Sequence, residues 1–296
     1  MTLEISAELR DLINADLASA PMVREETVQK VLEGANIEIG HLMIYLLPIA
    51  AKYARTPISH FNVGAVAQGM GLSLYLGSNM EFPGEALSFC VHGEQSATNH
   101  AWIKGETGLQ SLAVNAAPCG YCRQFLYEIS TATKGFQILL KKYPKQPDNY
   151  DYTMYPLTHY LPDAFGPGDL NIKARLMQPE NHGLSIASSD PLAQAALQAA
   201  NASYSPYTGD FCGVALEANK KIFAGRYAEN AAYNPSMSPL ESALAIMNMT
   251  EKEGVNYNIT RAVLVESNAI ISQKDATEDV LKSVAKGVTL EYYQAS

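Results

Sequence analysis

His92 and Glu94 stand two residues apart, and Cys119 and Cys122 stand three apart behind Pro118, in a chain with only two other cysteines. A pair of cysteines at this spacing can be a redox couple, half of a structural zinc knot or part of a catalytic metal site. One histidine and two thiolates make a good catalytic zinc set: they cancel the charge of the ion and leave its fourth tetrahedral position to water. Residues three apart on a helical turn share a face, so both sulfurs can reach one ion, and a helix N-terminus favours thiolate over thiol. A structural zinc would need a fourth protein ligand. Cys90 is the nearby candidate, but it would have to turn with His92 to reach the same ion. A redox couple would leave His92 and Glu94 unexplained. Glu94, two residues along from a ligand, is placed to move a proton between a metal-activated water and a substrate nitrogen. Cys90 and Cys212 read as small buried apolar residues. His41, His60, His100, His159 and His182 read as solvated or internally satisfied histidines.

These side chains must be positioned by alternating helices and strands. The first forty residues read as helical, with Leu9, Leu12, Ile13 and Leu17 at helical spacing. From Phe61 the period becomes two, with Phe61, Val63, Ala65 and Ala67 on one strand face, a turn at QGMG and LSLYLG as hairpin partner. CVHGEQSATNHAWIKGE then reads as a helix, LQSLAVNAA as a strand, PCGYCRQFLYEI as a helix and GFQILLKK as a strand. That alternation predicts a layered α/β core. The order of signals then recurs. The stretch from Ala200 echoes the stretch from Ala51: an aromatic and small polar turn, a GVA-like strand, a hairpin, an Asn/Glu-bearing loop and a helix containing Glu-(x)-Ser-Ala. The sequence therefore predicts a helical N-terminal domain over 1–38, a core carrying the metal ligands over 39–145, an ordered linker over 146–187 and a second, degenerate core over 188–296. Where the first copy has His92, Cys119 and Cys122, the second offers SPLESA and VESNAIISQKDATEDVLKS and has lost the metal site.

The chain has 296 residues, 47% of them hydrophobic, enough for a substantial core, and a formal charge of −9 that disfavours a nucleic-acid partner. Its one compact basic run, KKYPK, reads as a solvated loop. Four cysteines do not make a disulfide framework, the N-terminus lacks signal-peptide features, and no apolar run spans a membrane, since HLMIYLLPIAAKYA is broken by Pro48. The expected location is cytoplasmic.

HGE followed by PCGYC has the order and spacing of the zinc deaminase signature. With ARTPISHFNVGA, NMEF, VHGEQSA, PCGYCRQF, LPDAFGPGDL and YAENAAYNP, the chain resembles the cytidine deaminases. The resemblance is to the long homodimeric bacterial branch, in which a helical domain precedes an active and a degenerate copy of one α/β/α core. It implies hydrolysis of cytidine and deoxycytidine to the uridine nucleosides and ammonia, with one zinc per chain held by His92, Cys119 and Cys122 and with Glu94 as proton shuttle. It further implies that Asn79 and Glu81 hydrogen-bond the ribose, that Phe61 packs on the pyrimidine, and that Gly93, where alanine is frequent in the family, offers its backbone to the base. Phe165 matches an aromatic that closes over the substrate in the neighbouring subunit's site. A nucleotide deaminase or nucleic-acid editor would need cationic side chains for phosphates. A non-catalytic zinc or nucleoside-binding module would have no use for Glu94 beside an open metal position.

Overall fold

The computed structural model describes residues 2–250 and 258–296. The chain folds as two compact units, one of residues 1–56, 60–80 and 92–164, the other of 57–59, 81–91 and 165–296.

In the first unit the elements run α1 (Ala7–Ser19), β1 (Met22–Val23), α2 (Glu25–Ala35), α3 (Ile39–Ala51), β2 (Gly64–Gln68), β3 (Leu74–Ser78), α4 (Gly93–Ile103), β4 (Ser111–Val114), α5 (Gly120–Tyr127), β5 (Gln137–Lys141), β6 (Tyr152–Pro156) and α6 (Leu157–Tyr160). The strands form one sheet in the order β1-β3-β2-β4-β5-β6, with β4 and β5 parallel and the other pairs antiparallel. Two glycines show how the helices cover it. A Cβ on Gly64 would lie 2.3 Å from Leu47 O on α3, and one on Gly77 would lie 2.1 Å from Ala97 N on α4. Gly77 pairs with Ala65, the neighbour of Gly64, so these approaches are on opposite faces of the sheet. Hence α3 lies on one face and α4 on the other.

Because both faces are covered, every residue of β2 is buried. The alternation expected from Phe61 does not mark the strand: β2 begins at Gly64, and Phe61 and Val63 belong to the approach to it. A strand sandwiched between helices is under no pressure to alternate polar and apolar residues. Residues read as helical at the N-terminus also supply β1, which pairs with β3, and the segment read as a linker supplies β6, which pairs with β5 along its whole length.

The second unit holds α7 (Pro191–Asn201), β7 (Cys212–Ala218), β8 (Lys221–Arg226), α8 (Pro239–Thr250), β9 (Ile259–Glu266), α9 (Lys274–Val284) and β10 (Leu290–Gln294), with strand order β10-β9-β7-β8. The glycine approaches repeat: Gly213 in β7 faces Ala196 O and Ala200 N of α7, and Gly225 in β8 faces Ala243 N of α8 at 2.1 Å. Leu192, Ala193, Ala196, Leu197 and Ala200 of α7 pack with Ala215, Val263 and Val265 of the sheet. Helix–strand–strand–helix–strand–helix–strand recurs with its closest backbone approaches at equivalent glycines, which makes the second unit a copy of the core of the first. Among the described residues no single helix is long and apolar enough to cross a membrane.

Candidate active site

His92 caps α4 and Cys119 caps α5, so two helix N-termini deliver the candidate ligands to one place. Gln95 turns back to accept the His92 N–H at 3.1 Å, fixing the start of α4. Cys119 Sγ accepts the Cys122 N–H at 3.5 Å, which folds the two sulfurs onto one side of the first turn of α5. Arg123 fastens that turn from behind, donating through Nε to Pro118 O at 2.7 Å and through a terminal nitrogen to Tyr160 O at 2.9 Å.

His92 Nδ1 lies 3.5 Å from Cys119 Sγ and 3.2 Å from Cys122 Sγ, and the three donor atoms all fall within 4.8 Å of one another. A tetrahedral ion with Zn–N and Zn–S bonds of about 2.0–2.3 Å places its donors roughly 3.3–3.8 Å apart. The two Nδ1–Sγ distances are close to that range, and the donor set is one zinc takes, so these residues fit zinc. The thiols are already poised. Cys119 is pulled down to about 3 by its hydrogen bonds with Cys122 and then His92, and Cys122 is pushed up by the same Cys119 contact, by burial and by Glu94. Zinc held by these residues would take both sulfurs as thiolates.

Glu94, in the first turn of α4, is 4% exposed. Burial raises its pKa, opposed by hydrogen bonds from its own backbone N–H and from Cys122. A carboxyl group of this kind can hold a proton and give it up again beside a metal. Gly93 precedes it, and a Cβ there would meet Val63 Cγ1 at 2.8 Å, so this chain has less room at that position than an alanine needs.

The other sequence-predicted residues fall into two groups. Phe61, 59% exposed, and Asn79 belong to the first unit with His92, Glu94 and the cysteines. The Asn79 amide staples the chain entering β2: its Oδ1 accepts from Val63 N at 2.9 Å and its Nδ2 donates to Phe61 O at 3.0 Å. Glu81 and Phe165 belong to the second unit, Glu81 bonded to Ile58 and Ser59 and Phe165 47% exposed. Three residues that hold sequence-predicted side chains or their helix turns escape sequence reading: Tyr121, stacked on His92 with ring centroids 5.3 Å apart, Arg123, and Ser59, bonded to Glu81. Their types and positions in PCGYCRQF and TPIS are visible in the sequence, but nothing in spacing alone says what they touch. A cavity of about 490 Å³ lined by Gln68, Ser111, Phe136 and Met154 includes none of the zinc-set residues.

The second copy shows what replaced the site. Since Gly77 and Gly225 meet Ala97 N and Ala243 N identically, Ala97 and Ala243 are equivalent. Counting back places Ser238 at His92 and Leu240 at Glu94, and Ser238 N donates to Glu241 at 2.7 Å as His92 N does to Gln95. The Glu-Ser-Ala likeness thus matches Glu241 to Gln95, one position from Glu94. Likewise Gln273 caps α9 where Cys119 caps α5, which places Ala276 at Cys122. Asp210, Cys212 and Glu266 bring donor atoms within 4.8 Å of one another in this unit, but the chain's own groups bond both oxygens of Glu266 and one of Asp210, leaving Asp210 Oδ1 buried without a hydrogen-bond partner among the described residues. Gln273 Nε2 donates to Asp210 at 3.1 Å, and Ser272 Oγ, Gln273 N and Tyr292 OH donate to Glu266 at 2.6, 2.9 and 3.1 Å. This is a hydrogen-bonded plug. Cys212, read as a buried apolar residue, is fully buried in it.

Fold and site together define a deaminase core present twice in one chain, with the His-Cys-Cys donor set in the first copy alone among the described residues. The model of the cytidine and deoxycytidylate deaminase zinc-binding region matches residues 41–136, and a second model of the same description matches 157–278. The cytidine deaminase of Yersinia pestis (strain Pestoides F) is 47% identical over 265 residues, 89% of this chain and 86% of its own, and that of Yersinia pseudotuberculosis serotype O:1b (strain IP 31758) gives the same figures. The chain belongs to the cytidine deaminase family. Solved structures of cytidine deaminases from Burkholderia pseudomallei and Mycobacterium tuberculosis align with 26% and 27% identity and TM-scores of 0.36 and 0.35; each alignment covers 42% of this chain, and 98% and 95% of theirs.

Proposed function

We propose that this chain catalyses the hydrolytic deamination of cytidine and deoxycytidine, giving uridine or deoxyuridine and ammonia, as a step of pyrimidine salvage. The observation that carries the reading is the buried Glu94 carboxyl beside three convergent donors, His92, Cys119 and Cys122. Zinc bound at those donors supplies a water whose pKa falls from 15.7 to about 7, and a Lewis acid at the reacting carbon. Glu94 would take a proton from that water and give it to N3 of the cytosine as the water oxygen bonds to C4; it would then take the proton left on that oxygen and give it to the C4 amino group, so that the C4–N bond breaks, ammonia leaves and the C4 carbonyl forms. Burial favours the protonated form of Glu94 between these transfers. Phe61 stacks on the pyrimidine, the backbone at Gly93 bonds the base, and Asn79 and Glu81 read the sugar hydroxyls.

The decisive experiment is Glu94→Gln, which keeps size and burial but cannot carry the proton. It should retain zinc and lose kcat by about 10²–10⁴-fold. Near-normal turnover would remove Glu94 from the reaction.

The proposed assembly is a cytoplasmic homodimer with active sites at the subunit interface. All four cysteines are free of disulfides, as suits a reducing compartment. Phe165, an exposed aromatic at the head of the Gly166–Pro167 turn, closes the neighbouring subunit's site. Hybrid dimers of Glu94→Ala and Phe165→Ala chains should regain one intact site. No gain over the parents, with hybrids verified by mass and Phe165→Ala impaired alone, would rule that role out.

A further inference from the structure

The two copies share one polar device that has nothing to do with metal. In the first, Ile58 N and Ser59 N both donate to Glu81 Oε2, at 2.8 and 2.9 Å, while the Ser59 hydroxyl donates to Oε1. In the second, Tyr207 N and Thr208 N donate to Glu229 Oε2, at 2.7 and 3.3 Å, and Thr208 Oγ1 donates to Oε1. The bonds match atom for atom. Their settings differ: Glu229 is 2% exposed, whereas Glu81 is half-buried and Ser59 is exposed. The device around Glu229 is closed into the interior, whereas the one around Glu81, in the half of the sequence that carries the zinc-set residues, leaves Ser59 facing solvent.

Both backbone bonds end on the same oxygen. They hold Oε2; because the last torsion of a glutamate side chain is broad, a contact on Oε1 also bears on how the carboxylate is turned. The hydroxyl bond ties the second oxygen, and a hydroxyl donating to a carboxylate is a strong, short contact. We propose that Ser59 is a positioning residue for nucleoside recognition: its hydroxyl holds the Glu81 carboxylate in the orientation that accepts a hydrogen bond from a sugar hydroxyl of the substrate. This rests on the reading of Glu81 as a sugar-binding residue. Thr208 shows that the same backbone accommodates threonine with the same bond, which supplies the conservative replacement.

The test compares kcat/KM on cytidine with kcat/KM on 1-methylcytosine, which lacks the sugar, for zinc-loaded Ser59→Ala, Ser59→Thr, Glu81→Ala and the Ser59→Ala/Glu81→Ala double variant. Ser59→Ala should lose roughly tenfold or more on cytidine, the scale of one hydrogen bond to a charged group, chiefly through KM. It should stay within about twofold on 1-methylcytosine, and Ser59→Thr should recover the loss. The double variant should be no worse than Glu81→Ala, since a positioning residue has nothing left to position. Equal losses by Ser59→Ala on both substrates, failure of threonine to recover, or additive losses in the double variant would each overturn the proposal. If Glu81→Ala itself loses equally on both substrates, the sugar-reading role fails first and takes the proposal with it. Melting temperatures of the variants separate these outcomes from unfolding.

Discussion

Substituting alanine for Gly77 places a methyl group 2.1 Å from Ala97 N and 2.6 Å from Ala97 Cα, both of them backbone atoms of α4. Carbon contacts settle at about 3.5–4.0 Å, so α4 must move off β3 by more than about 1 Å. Overpacking of this kind costs about 1–3 kcal/mol. α4 carries His92 at its cap and Glu94 in its first turn, whereas Cys119 and Cys122 ride on α5. The displacement is therefore not shared by all three donors, and a metal site tolerates distance errors of only about 0.2 Å. Gly77→Ala should melt lower, bind zinc at least tenfold more weakly in competition with a chelator, and lose about 10²-fold in turnover from misplaced groups. Gly225→Ala provides the control. It meets Ala243 N at the same 2.1 Å on a helix that carries Ser238 and Leu240 in place of the ligand and the acid. It should lose comparable stability without weakening zinc. Unchanged zinc affinity in Gly77→Ala, or equal weakening in Gly225→Ala, would refute the claim that helix–sheet spacing sets the donor triangle.

Metal analysis should find one zinc per chain, and its removal by chelation should abolish activity; two per chain would mean that the Asp210, Cys212 and Glu266 cluster, or Ser238 with Gln273, binds an ion. Burial raises Asp210 to about 7, helped by Glu266 and Glu229 and opposed by Gln273. Its folded value thus lies above the unfolded one of 3.8, so the stability it contributes is fully present below about pH 4 and is lost as the pH rises through about 7. Urea midpoints from pH 4 to 8 should fall more steeply for the parent than for Asp210→Asn, and parallel curves would show that this carboxyl does not titrate within the fold.

The zinc set and Glu94 are legible in the sequence because ligation demands particular residue types near helix starts, and HGE and PCGYC display them without help from the rest of the chain. The duplication is legible because GVA strands and their helices recur in order. The register between copies is not. A likeness of Glu, Ser and Ala suggests one alignment of Glu241, and only the approach of Gly225 to Ala243 N, seen beside that of Gly77 to Ala97 N, fixes another. β6 hides in a Pro- and Tyr-rich stretch because an edge strand with exposed residues carries little hydrophobic pattern. The plug in the second copy joins Asp210, Glu266, Gln273 and Tyr292, residues far apart in the chain, and no local signal links them.

Leu240 at the position of Glu94 means that one polypeptide holds both a working design and the same design relieved of its task. Where the first copy keeps the Glu94 carboxyl at 4% exposure, the second has the aliphatic Leu240 at 1%. Residue choices that differ between equivalent positions therefore sort into those the architecture requires and those chemistry imposes upon it. Read forwards, the second half is a guide for making the first more robust at the expense of turnover. Read backwards, Ser238→His, Leu240→Glu, Gln273→Cys and Ala276→Cys, together with clearance of Asp210 and Glu266, lay out the route by which a retired half could be returned to service.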